Sequence, residues 1–383
     1  MFKNFFKLFK NIIMGKFTIN IPPKKNYLIY DSPRKEDFEK YLPDNQTHVL
    51  NTRWETINLF VLLKCLINFN LKSSTYFKEY INYVNPKYII SFSDLYPQFF
   101  YIEKKSNRIK ILIQNAWRNK TPKKNKNKKY FVDYFLGFNP TISKRYGNVL
   151  HAKIFNIGSF RSNSFKIYNK KKSLDILYIS TYRIPDQNKT EIGNLSWEEF
   201  DKAQKDLVKF LFNYCKKKKL RFHIYGKATP SIINFQLTQK NYFKKILGNE
   251  NKGWVYLKNL DNSHKSVKRT YKIIDSAQIV VGTDSTLLYE ALSRGNKVAF
   301  FNHRSELQGQ KSRSYAWPLA KSKKGPFWTN ELNQNSCQKL IDKVLSYNKK
   351  RWKRIFQKET RDVMLRDENN TIFNRIIKNN INR

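Results

Sequence analysis

The segment 279–301 constrains the fold of this chain more than any other part of the sequence. Three apolar residues predict a buried strand, and a short turn containing a glycine follows them. Ser285 and Thr286 then stand where a helix N-cap belongs, and apolar residues recur behind them at helical spacing. Gly295 ends that helix, and a second apolar run predicts another strand. The pattern therefore predicts a strand, a turn, a helix and a strand in succession, which is the repeating unit of a parallel α/β sheet.

The turn between the first strand and the helix is a candidate phosphate site. It carries Asp284 and the hydroxyl groups of Ser285 and Thr286. Free backbone N–H groups and the positive end of the helix dipole favour a phosphate at such a helix N-terminus. Glu290 follows about one helical turn later, where a carboxylate can accept hydrogen bonds from sugar hydroxyls. The alternative interpretation is that Ser285 only caps the helix and that Glu290 is a surface residue.

This segment resembles the nucleotide-sugar-binding corner of GT-B glycosyltransferases, in the family of surface carbohydrate and capsule polysaccharide biosynthesis transferases. Members of that family carry a similar Ser-Thr-Leu-x-x-Glu-Ala stretch, which is closed by a glycine and a strand. Leu288 departs from the family pattern, which often has glycine there. The resemblance covers most of residues 50–330 and is densest near 273–301.

The resemblance implies an α/β fold of two tandem Rossmann-like domains (GT-B) with a C-terminal closing helix. It also implies that a nucleotide-sugar is the substrate and that neither a resident cofactor nor a bound metal is needed. Basic side chains and the helix N-terminus would neutralise the leaving phosphate instead. The sequence has no Asp-x-Asp motif, and its three cysteines and five histidines show no metal-ligand spacing.

Short apolar runs alternate with helical patterns in both halves of the chain, which also predicts doubly wound parallel sheets. A lysine-rich stretch near residues 162–173 marks the expected linker. We therefore divide the sequence into a membrane-surface helix at 1–20, an N-terminal Rossmann-like acceptor domain at 21–165, a C-terminal Rossmann-like nucleotide-sugar domain at 166–345 and a C-terminal helix at 346–383.

The periodicity also predicts individual elements. In the N-terminal domain we predict strands at 27–31, 48–50, 88–92, 109–114, 135–138 and 154–157, and helices at 34–41, 55–69, 75–84 and 98–105. In the C-terminal domain we predict further strands at 174–180, 221–225 and 253–256, and helices at 197–218, 240–247 and 267–275. A closing helix is predicted at 349–378.

Asp94 is the candidate catalytic residue, because it closely follows a predicted strand of the N-terminal domain. At a strand end facing the cleft of this fold, a carboxylate can deprotonate an acceptor hydroxyl, as an inverting sugar transfer requires. The alternative is an aspartate that caps the following turn. The resemblance implies a Gln-Asn pair after the next strand, which is Gln114 and Asn115 here, with Arg118 just beyond. These three residues are the candidate acceptor-binding residues.

Polar residues at other strand ends are candidates for binding the nucleotide-sugar. Ser180 and Arg183 close the first strand of the C-terminal domain, and a guanidinium can bind a phosphate through two hydrogen bonds. Lys227 supplies a second cation after the next strand. Gly158 and Ser159 resemble the turn that faces the sugar donor in this family.

The formal net charge of +45 would normally indicate a nucleic-acid-binding protein. The basic residues are spread along the whole chain, however, and Lys, Asn, Ile, Phe and Tyr are all frequent. These residues share A/T-rich codons, so genomic base composition accounts for much of the excess. We therefore expect no nucleic-acid partner and expect an anionic membrane surface or a phosphate-bearing substrate instead.

The first fourteen residues, MFKNFFKLFKNIIM, form a basic amphipathic pattern. Phenylalanine, leucine and isoleucine fall on one side of a helical wheel, and lysine and asparagine fall on the other. Such a helix lies in the interface of an anionic membrane, and we expect peripheral attachment to the cytoplasmic face of the plasma membrane. The alternatives are a helix packed on the protein itself, or an upstream extension if translation starts at Met14.

Together these features predict a metal-independent glycosyltransferase that moves a sugar to a surface polysaccharide, such as capsule or lipopolysaccharide, or to a lipid-linked glycan. Two enzymes of the same fold remain alternatives, a UDP-sugar epimerase and a polyol-phosphate transferase. A non-enzymatic basic protein that binds membrane or nucleic acid is a third.

Overall fold

The structure is a computed structural model. It describes residues 16–31, 35–52, 56–95, 97–105, 107–117, 121–122, 129–168, 172–184, 196–227, 234–250, 253–259, 263–283, 285–302, 315–316, 319, 321–331 and 333–379. Residues 1–15 of the expected membrane-surface helix lie outside these ranges, as do the site candidates Arg118 and Asp284. The chain divides into two compact units.

The first unit comprises the described residues of Met1–Asn115, Lys120–Phe160 and Asn370–Arg383. Its strands are β1 (Lys16–Thr18), β2 (Tyr27–Tyr30), β3 (Thr47–Leu50), β4 (Thr56–Asn58), β5 (Tyr88–Ser91), β6 (Ile109–Ile113), β7 (Tyr130–Gly137) and β8 (Leu150–Asn156). Its helices begin with α1 (Leu59–Ile67), α2 (Ser73–Val84), α3 (Pro97–Phe100) and α4 (Pro140–Gly147). Six strands form one parallel sheet in the order β3-β2-β5-β6-β7-β8, and β1 pairs with β4 separately.

The second unit comprises the described residues of Ala116–Asn119 and Arg161–Asn369. Its strands are β9 (Leu174–Ile179), β10 (Phe222–Tyr225), β11 (Trp254–Leu257), β12 (Ala277–Gly282), β13 (Val298–Phe301) and β14 (Trp328–Thr329). All six form a parallel sheet in the order β11-β10-β9-β12-β13-β14. Its helices are α5 (Phe160–Asn163, which begins at the unit boundary), α6 (Trp197–Lys218), α7 (Phe235–Leu247), α8 (His264–Asp275), α9 (Thr286–Ser293), α10 (Gln334–Ser346) and α11 (Lys349–Thr360).

The sequence accounts for the ends of the longest helix, α6. Ser196 and Glu199 form a reciprocal capping box at its N-terminus, and two glutamates stand in its first turn. Three lysines occupy its last turn, and Lys219 takes the left-handed conformation that closes the helix. The predicted helix at 197–218 is therefore confirmed at both ends.

The C-terminal tail contains two helices where the sequence predicted one. Helix α11 ends at Thr360, and ten residues separate it from α12 (Thr371–Asn379). Asn369 and Asn370, just before α12, both adopt positive φ. Asparagine is among the few residues that tolerate this conformation. The last helix packs on the sheet of the first unit, where the Tyr88 hydroxyl of β5 donates a hydrogen bond to the Ile377 carbonyl at 3.2 Å.

Other differences arise where long-range contacts override local pattern. The predicted helix at 55–69 begins only at Leu59, because residues 56–58 pair with β1. Asn58 then caps the helix by accepting a hydrogen bond from the Val61 N–H at 3.0 Å. The helix predicted at 98–105 ends at Phe100. Helix α4, helix α10 and the β1–β4 pair were not predicted.

The segment expected to be a linker is firmly attached to the second unit. Arg294 donates Nε–H to Oδ1 of Asp275 at 2.9 Å and Nη1–H to the carbonyl oxygens of Ser162 and Phe165 at 3.2 and 3.1 Å. The Tyr168 N–H donates to Oδ2 of the same aspartate at 2.9 Å. Arg294 and Asp275 are both buried, so these hydrogen bonds hold residues 162–168 against the interior of the second unit.

No helix in the described part of the chain is long and apolar enough to cross a membrane.

Candidate functional site

The order of strands in the second unit brings several candidate residues to one edge of its sheet. β9 lies between β10 and β12, with Ile179 paired to Tyr225 and Tyr178 paired to Val281. The segments that carry Arg183, Lys227 and Ser285 therefore leave neighbouring strands at their carboxyl ends. In open parallel α/β sheets this edge is where ligands bind.

Arg183 and Lys227 are close enough for their charges to interact. The residue Lys227 is exposed, but enough protein surrounds its amine for desolvation to lower its pKa, and the positive charge of Arg183 lowers the pKa further. The Arg183 guanidinium lies 5.8 Å from the centroid of the Phe200 ring. An anion bound between the two cations would relieve their repulsion.

Ser180 has a structural role in presenting these cations. Its hydroxyl oxygen accepts hydrogen bonds from Gln239 Nε2 at 3.0 Å and from the Tyr182 N–H at 3.1 Å. The Oε1 atom of Gln239 accepts in turn from the Lys227 N–H at 2.9 Å. The buried Gln239 thus joins the ends of β9 and β10. Sequence reasoning missed it, because a lone glutamine within a helix gives no signal.

The turn before α9 has the predicted cap. Ser285 has extended backbone angles, and its hydroxyl oxygen accepts from the Leu287 N–H at 3.3 Å. Gly282 ends the preceding strand, and a Cβ atom there would lie 3.3 Å from Leu288 Cδ2. A larger residue at this position would therefore require the Leu288 side chain to shift.

Thr286 has a partner that the sequence did not reveal. Its Oγ1 accepts a hydrogen bond from the Trp117 N–H at 3.0 Å. The Trp117 ring stacks on Tyr289 of α9, with 4.3 Å between ring centroids and 17° between planes. Trp117 thus covers part of the first turn of α9, while the Thr286 hydroxyl can still donate its own hydrogen.

Glu290 is buried, contrary to the alternative of a surface residue. Its Oε2 accepts a hydrogen bond from the hydroxyl of Tyr271 at 3.0 Å. Burial raises the pKa of Tyr271 well above its ordinary value, and the negative charge of Glu290 raises it further. The Arg294 guanidinium lies 4.7 Å from the Tyr271 ring centroid. Glu290 is therefore joined through Tyr271 to the Arg294–Asp275 network.

Asp94 lies in the first unit and is only 1% exposed. The Tyr146 hydroxyl donates a hydrogen bond to its Oδ2, and the Asn115 N–H approaches its Oδ1 at 3.4 Å. Gln114 is also fully buried, and its Oε1 accepts from the Phe138 N–H at 2.9 Å. Gln114 therefore fixes the ends of β6 and β7, whereas Asn115 is half-buried.

Gly158 and Ser159 lie in the turn between β8 and α5, also in the first unit. Gly158 has a φ of 75°, a conformation that favours glycine, and its N–H donates to the Gly137 carbonyl at 3.2 Å. Ser159 is buried. The second unit thus holds Ser180, Arg183, Lys227, Ser285, Thr286 and Glu290, and the first unit holds Asp94, Gln114, Asn115, Gly158 and Ser159.

Comparisons with known proteins place the chain in a family. A family model described as "putative O-antigen biosynthesis protein" matches residues 111–381. No curated protein sequence matches the chain. Among solved structures, a variant of the wall teichoic acid polymerase TagF has a TM-score of 0.52 and 12% identity over 94% of this chain and 90% of its own. A "putative UDP-N-acetylglucosamine 2-epimerase" from Listeria monocytogenes has a TM-score of 0.52 and 10% identity over 94% of this chain and 98% of its own.

At these identities the solved structures establish the fold alone, and they confirm the predicted α/β architecture of two Rossmann-like units with a C-terminal helix. The family match extends over more than half of the sequence. The chain therefore has the GT-B fold and belongs to the family of "putative O-antigen biosynthesis" proteins.

Proposed function

We propose that this protein is a glycosyltransferase of surface polysaccharide synthesis that uses a nucleotide-sugar as its donor. The observation that carries the proposal is that Arg183, Lys227 and the N-terminus of α9 follow three neighbouring strands at the carboxyl end of one sheet, where the charges of Arg183 and Lys227 interact. A nucleotide-sugar presents one or two phosphate groups, and this edge offers two cations and a helix dipole to bind them.

The same groups would promote the reaction without a metal. When the acceptor hydroxyl oxygen attacks the anomeric carbon, the bond from that carbon to the phosphate oxygen breaks and negative charge grows on the leaving nucleotide. Arg183, Lys227 and the hydroxyl of Thr286 would stabilise that charge. In this proposal Ser285 and Ser180 hold the surrounding turns, and Asp284 adds a further polar group to the helix turn.

We assign Glu290 to the donor nucleotide or its sugar, and we assign Gly158 and Ser159 to the turn beside the donor. The bond from Tyr271 holds one carboxylate oxygen of Glu290 in a fixed position. A carboxylate oxygen that is already oriented can accept a hydrogen bond from a ligand hydroxyl at a lower entropic cost than a mobile side chain, which supports this assignment.

Asp94 is the proposed base that takes the proton from the acceptor hydroxyl. Gln114, Asn115 and Arg118 are proposed to contact the acceptor, a growing polysaccharide or a lipid-linked glycan. Because Asp94 is buried against Tyr146, the turn that carries it must open for an acceptor hydroxyl to reach it. A purely structural role for Asp94 is the competing account, and the two roles predict different kinetics.

The shared fold gives one enzymatic alternative a specific basis. A structure described as an epimerase and a structure described as a teichoic acid polymerase match this chain equally well. An epimerase would convert the nucleotide-sugar without an acceptor, and a polyol-phosphate transferase would move a phosphate with its polyol. Product analysis separates the three, because a glycosyltransferase releases a nucleotide and forms a new glycosidic bond.

The test begins with binding. A panel of nucleotide-sugars is screened against the purified protein by thermal shift, since a ligand that binds only the folded state raises the melting temperature. We expect stabilisation by at least one nucleotide-sugar and loss of that stabilisation in Arg183→Ala. A non-enzymatic basic protein would instead show no preference within the panel, and its binding to anionic surfaces would fall steeply with salt.

We further propose that the protein works at the cytoplasmic face of the plasma membrane, attached by residues 1–14. Their basic amphipathic pattern supports this location. No nucleic acid is expected as a partner.

A further inference from the structure

Helix α1 in the first unit presents an apolar stripe to solvent. Its buried side is formed by Val61 and Cys65, which are one helical turn apart. The exposed side carries four large apolar residues at helical spacing, namely Leu59, Leu63, Leu66 and Ile67. A helix on the surface of a water-soluble protein normally has charged or polar residues at such positions. In α1 the only charged residue is Lys64.

A second apolar stripe lies beside this helix. Phe17, Ile19 and Ile21 are alternate residues of the segment 16–21, which begins with β1, and all three are exposed, Ile19 at 73%. Asn58, the cap of α1, donates from Nδ2 to the Thr18 hydroxyl at 3.2 Å and to the Asn20 carbonyl at 2.8 Å. These hydrogen bonds hold the segment 16–21 against the first turn of the helix.

The chain beyond α1 continues the exposed apolar surface. Phe69 is 99% exposed and has a φ of 49°, an uncommon conformation for an aromatic residue. The Phe69 N–H donates to the Leu66 carbonyl at 2.9 Å, so the turn holds the ring outward. Leu71 is exposed as well.

We call these residues the apolar face: Phe17, Ile19, Ile21, Leu59, Leu63, Leu66, Ile67, Phe69 and Leu71. They are nine of the fourteen large hydrophobic residues that are exposed in the described part of the chain. Single exposed apolar residues are ordinary, but such a concentration marks an interaction site.

The charges around the apolar face favour an anionic lipid surface over a protein partner. The segments 16–30 and 56–77 contain five lysines and no acidic residue. Lys16, Lys64 and Lys72 are exposed within the face or at its margin. Apolar side chains that enter the acyl boundary, with lysines at the headgroup level, are the pattern of a monotopic membrane contact.

The position of the N-terminal segment supports the same partner. Residues 1–15 join the described structure at Lys16, which is the first residue of β1 and adjoins Phe17 of the apolar face. The predicted amphipathic segment is therefore joined directly in sequence to this face. Both carry phenylalanine, leucine and isoleucine together with lysine and no acidic residue.

We propose that the apolar face inserts into the headgroup region of an anionic bilayer and forms a second membrane contact beside residues 1–14. The inference rests on the proposed membrane location, but not on the proposed donor site. Because the first unit is also the proposed acceptor-binding unit, this contact would hold it at the surface where a lipid-linked acceptor is found.

The test compares exposed substitutions in the full chain. The face variant carries Leu63→Gln and Phe69→Gln, and the matched control carries Leu237→Gln and Val255→Gln, which are exposed apolar residues of the second unit. Binding is measured by co-sedimentation with vesicles of phosphatidylcholine and phosphatidylglycerol and with vesicles of phosphatidylcholine alone. We expect the face variant to lose about tenfold or more of its partitioning into the anionic vesicles, with the control unchanged.

The same pair is compared after deletion of residues 1–14, where the face should provide the remaining binding and the face variant should remove it. Equal binding of face variant and control in the full chain would overturn the proposal. So would an effect seen only after the deletion, since the N-terminal segment would then cover the face.

A dimer in solution that the face variant dissociates would assign the face to a second copy and overturn the lipid assignment. Nucleotide-sugar binding is measured without vesicles, so its failure would count against the donor site alone.

Discussion

The hydroxyl of Tyr146 donates a hydrogen bond to Oδ2 of Asp94, and both side chains are buried in the first unit. Fifty-two residues separate them in sequence, and the bond joins helix α4 to the turn that follows β5. The proposed base is thus also a fixed structural anchor, and its two roles can be separated experimentally.

Asp94→Asn keeps the shape of the side chain but removes its ability to take up a proton. If Asp94 is the base, turnover should fall about 10²–10⁴-fold while the affinity for the nucleotide-sugar stays near that of the wild type. Tyr146→Phe is the control, because it removes the hydrogen bond from the Tyr146 hydroxyl and keeps the carboxylate. If both variants lose stability and turnover in parallel, Asp94 is an anchor only.

Arg183→Ala should weaken nucleotide-sugar binding about tenfold or more, because a hydrogen bond from a charged group contributes about 1.5–3 kcal/mol. Affinity is measured by titration calorimetry with the nucleotide-sugar found in the thermal-shift panel. Arg221→Ala is the matched control, since Arg221 is exposed but precedes β10 and so lies at the opposite edge of the same sheet. Equal losses in the two variants would show only a general effect of charge.

Replacement of Ser285 and Thr286 by alanine tests the α9 turn. Ser285→Ala removes a helix cap, so it should lower the free energy of unfolding by about 0.5–2 kcal/mol. Thr286→Ala removes the acceptor for the Trp117 N–H and the hydroxyl proposed to donate a hydrogen bond to the phosphate, so it should lower nucleotide-sugar affinity. Donor affinity and thermal unfolding are measured for each single variant. Unchanged affinity in Thr286→Ala would remove this hydroxyl from the proposed phosphate site.

The segment 279–301 could be predicted from sequence because its signals are local. Ser285 caps the helix as expected, Gly295 has a φ of 84° just after it, and the flanking strands are buried. Caps, glycine breaks and hydrophobic period all act within a few residues. The fold class followed from the same signals repeated along the chain.

The parts of the candidate site that could not be predicted depend on contacts between distant residues. Trp117 and Thr286 are 169 residues apart, and nothing around either residue indicates their hydrogen bond. Glu290 was expected to face a ligand, and its burial against Tyr271 depends on how α8 packs beside α9. A sequence pattern thus predicts candidate residues for the site but not the partners that hold them.

Arg294→Met should destabilise the second unit strongly. The substitution leaves the buried carboxylate of Asp275 without its cation and frees the carbonyl oxygens of Ser162 and Phe165. Loss of one partner from a buried ion pair costs about 3–5 kcal/mol. The free energy of unfolding is measured by urea titration. The control is Arg269→Met, which replaces an exposed arginine of α8. A loss no larger than in the control would mean that solvent reaches Asp275.

Lys110 should make stability depend on pH in the alkaline range. Its side chain is 2% exposed, and Nζ donates to the Ile102 carbonyl at 2.9 Å. Burial lowers its pKa from 10.5 to about 8, and the charge of Asp133 only partly opposes this. The folded state binds this proton less tightly than the unfolded state does, so the charged Lys110 lowers the free energy of unfolding. This loss of stability is complete below pH 8. It is relieved as the pH rises from about 8 towards 10.5, since the folded protein then loses a proton that the unfolded chain keeps. A lowering of the pKa by this amount corresponds to about 3 kcal/mol.

We therefore expect Lys110→Met to raise the free energy of unfolding at neutral pH and to lose this advantage as the pH rises towards 10.5. Urea titrations of the wild type and the variant along this pH series measure the difference, with exposed Lys105→Met as control. A difference that stays constant with pH would show that Lys110 keeps an ordinary pKa in the folded protein.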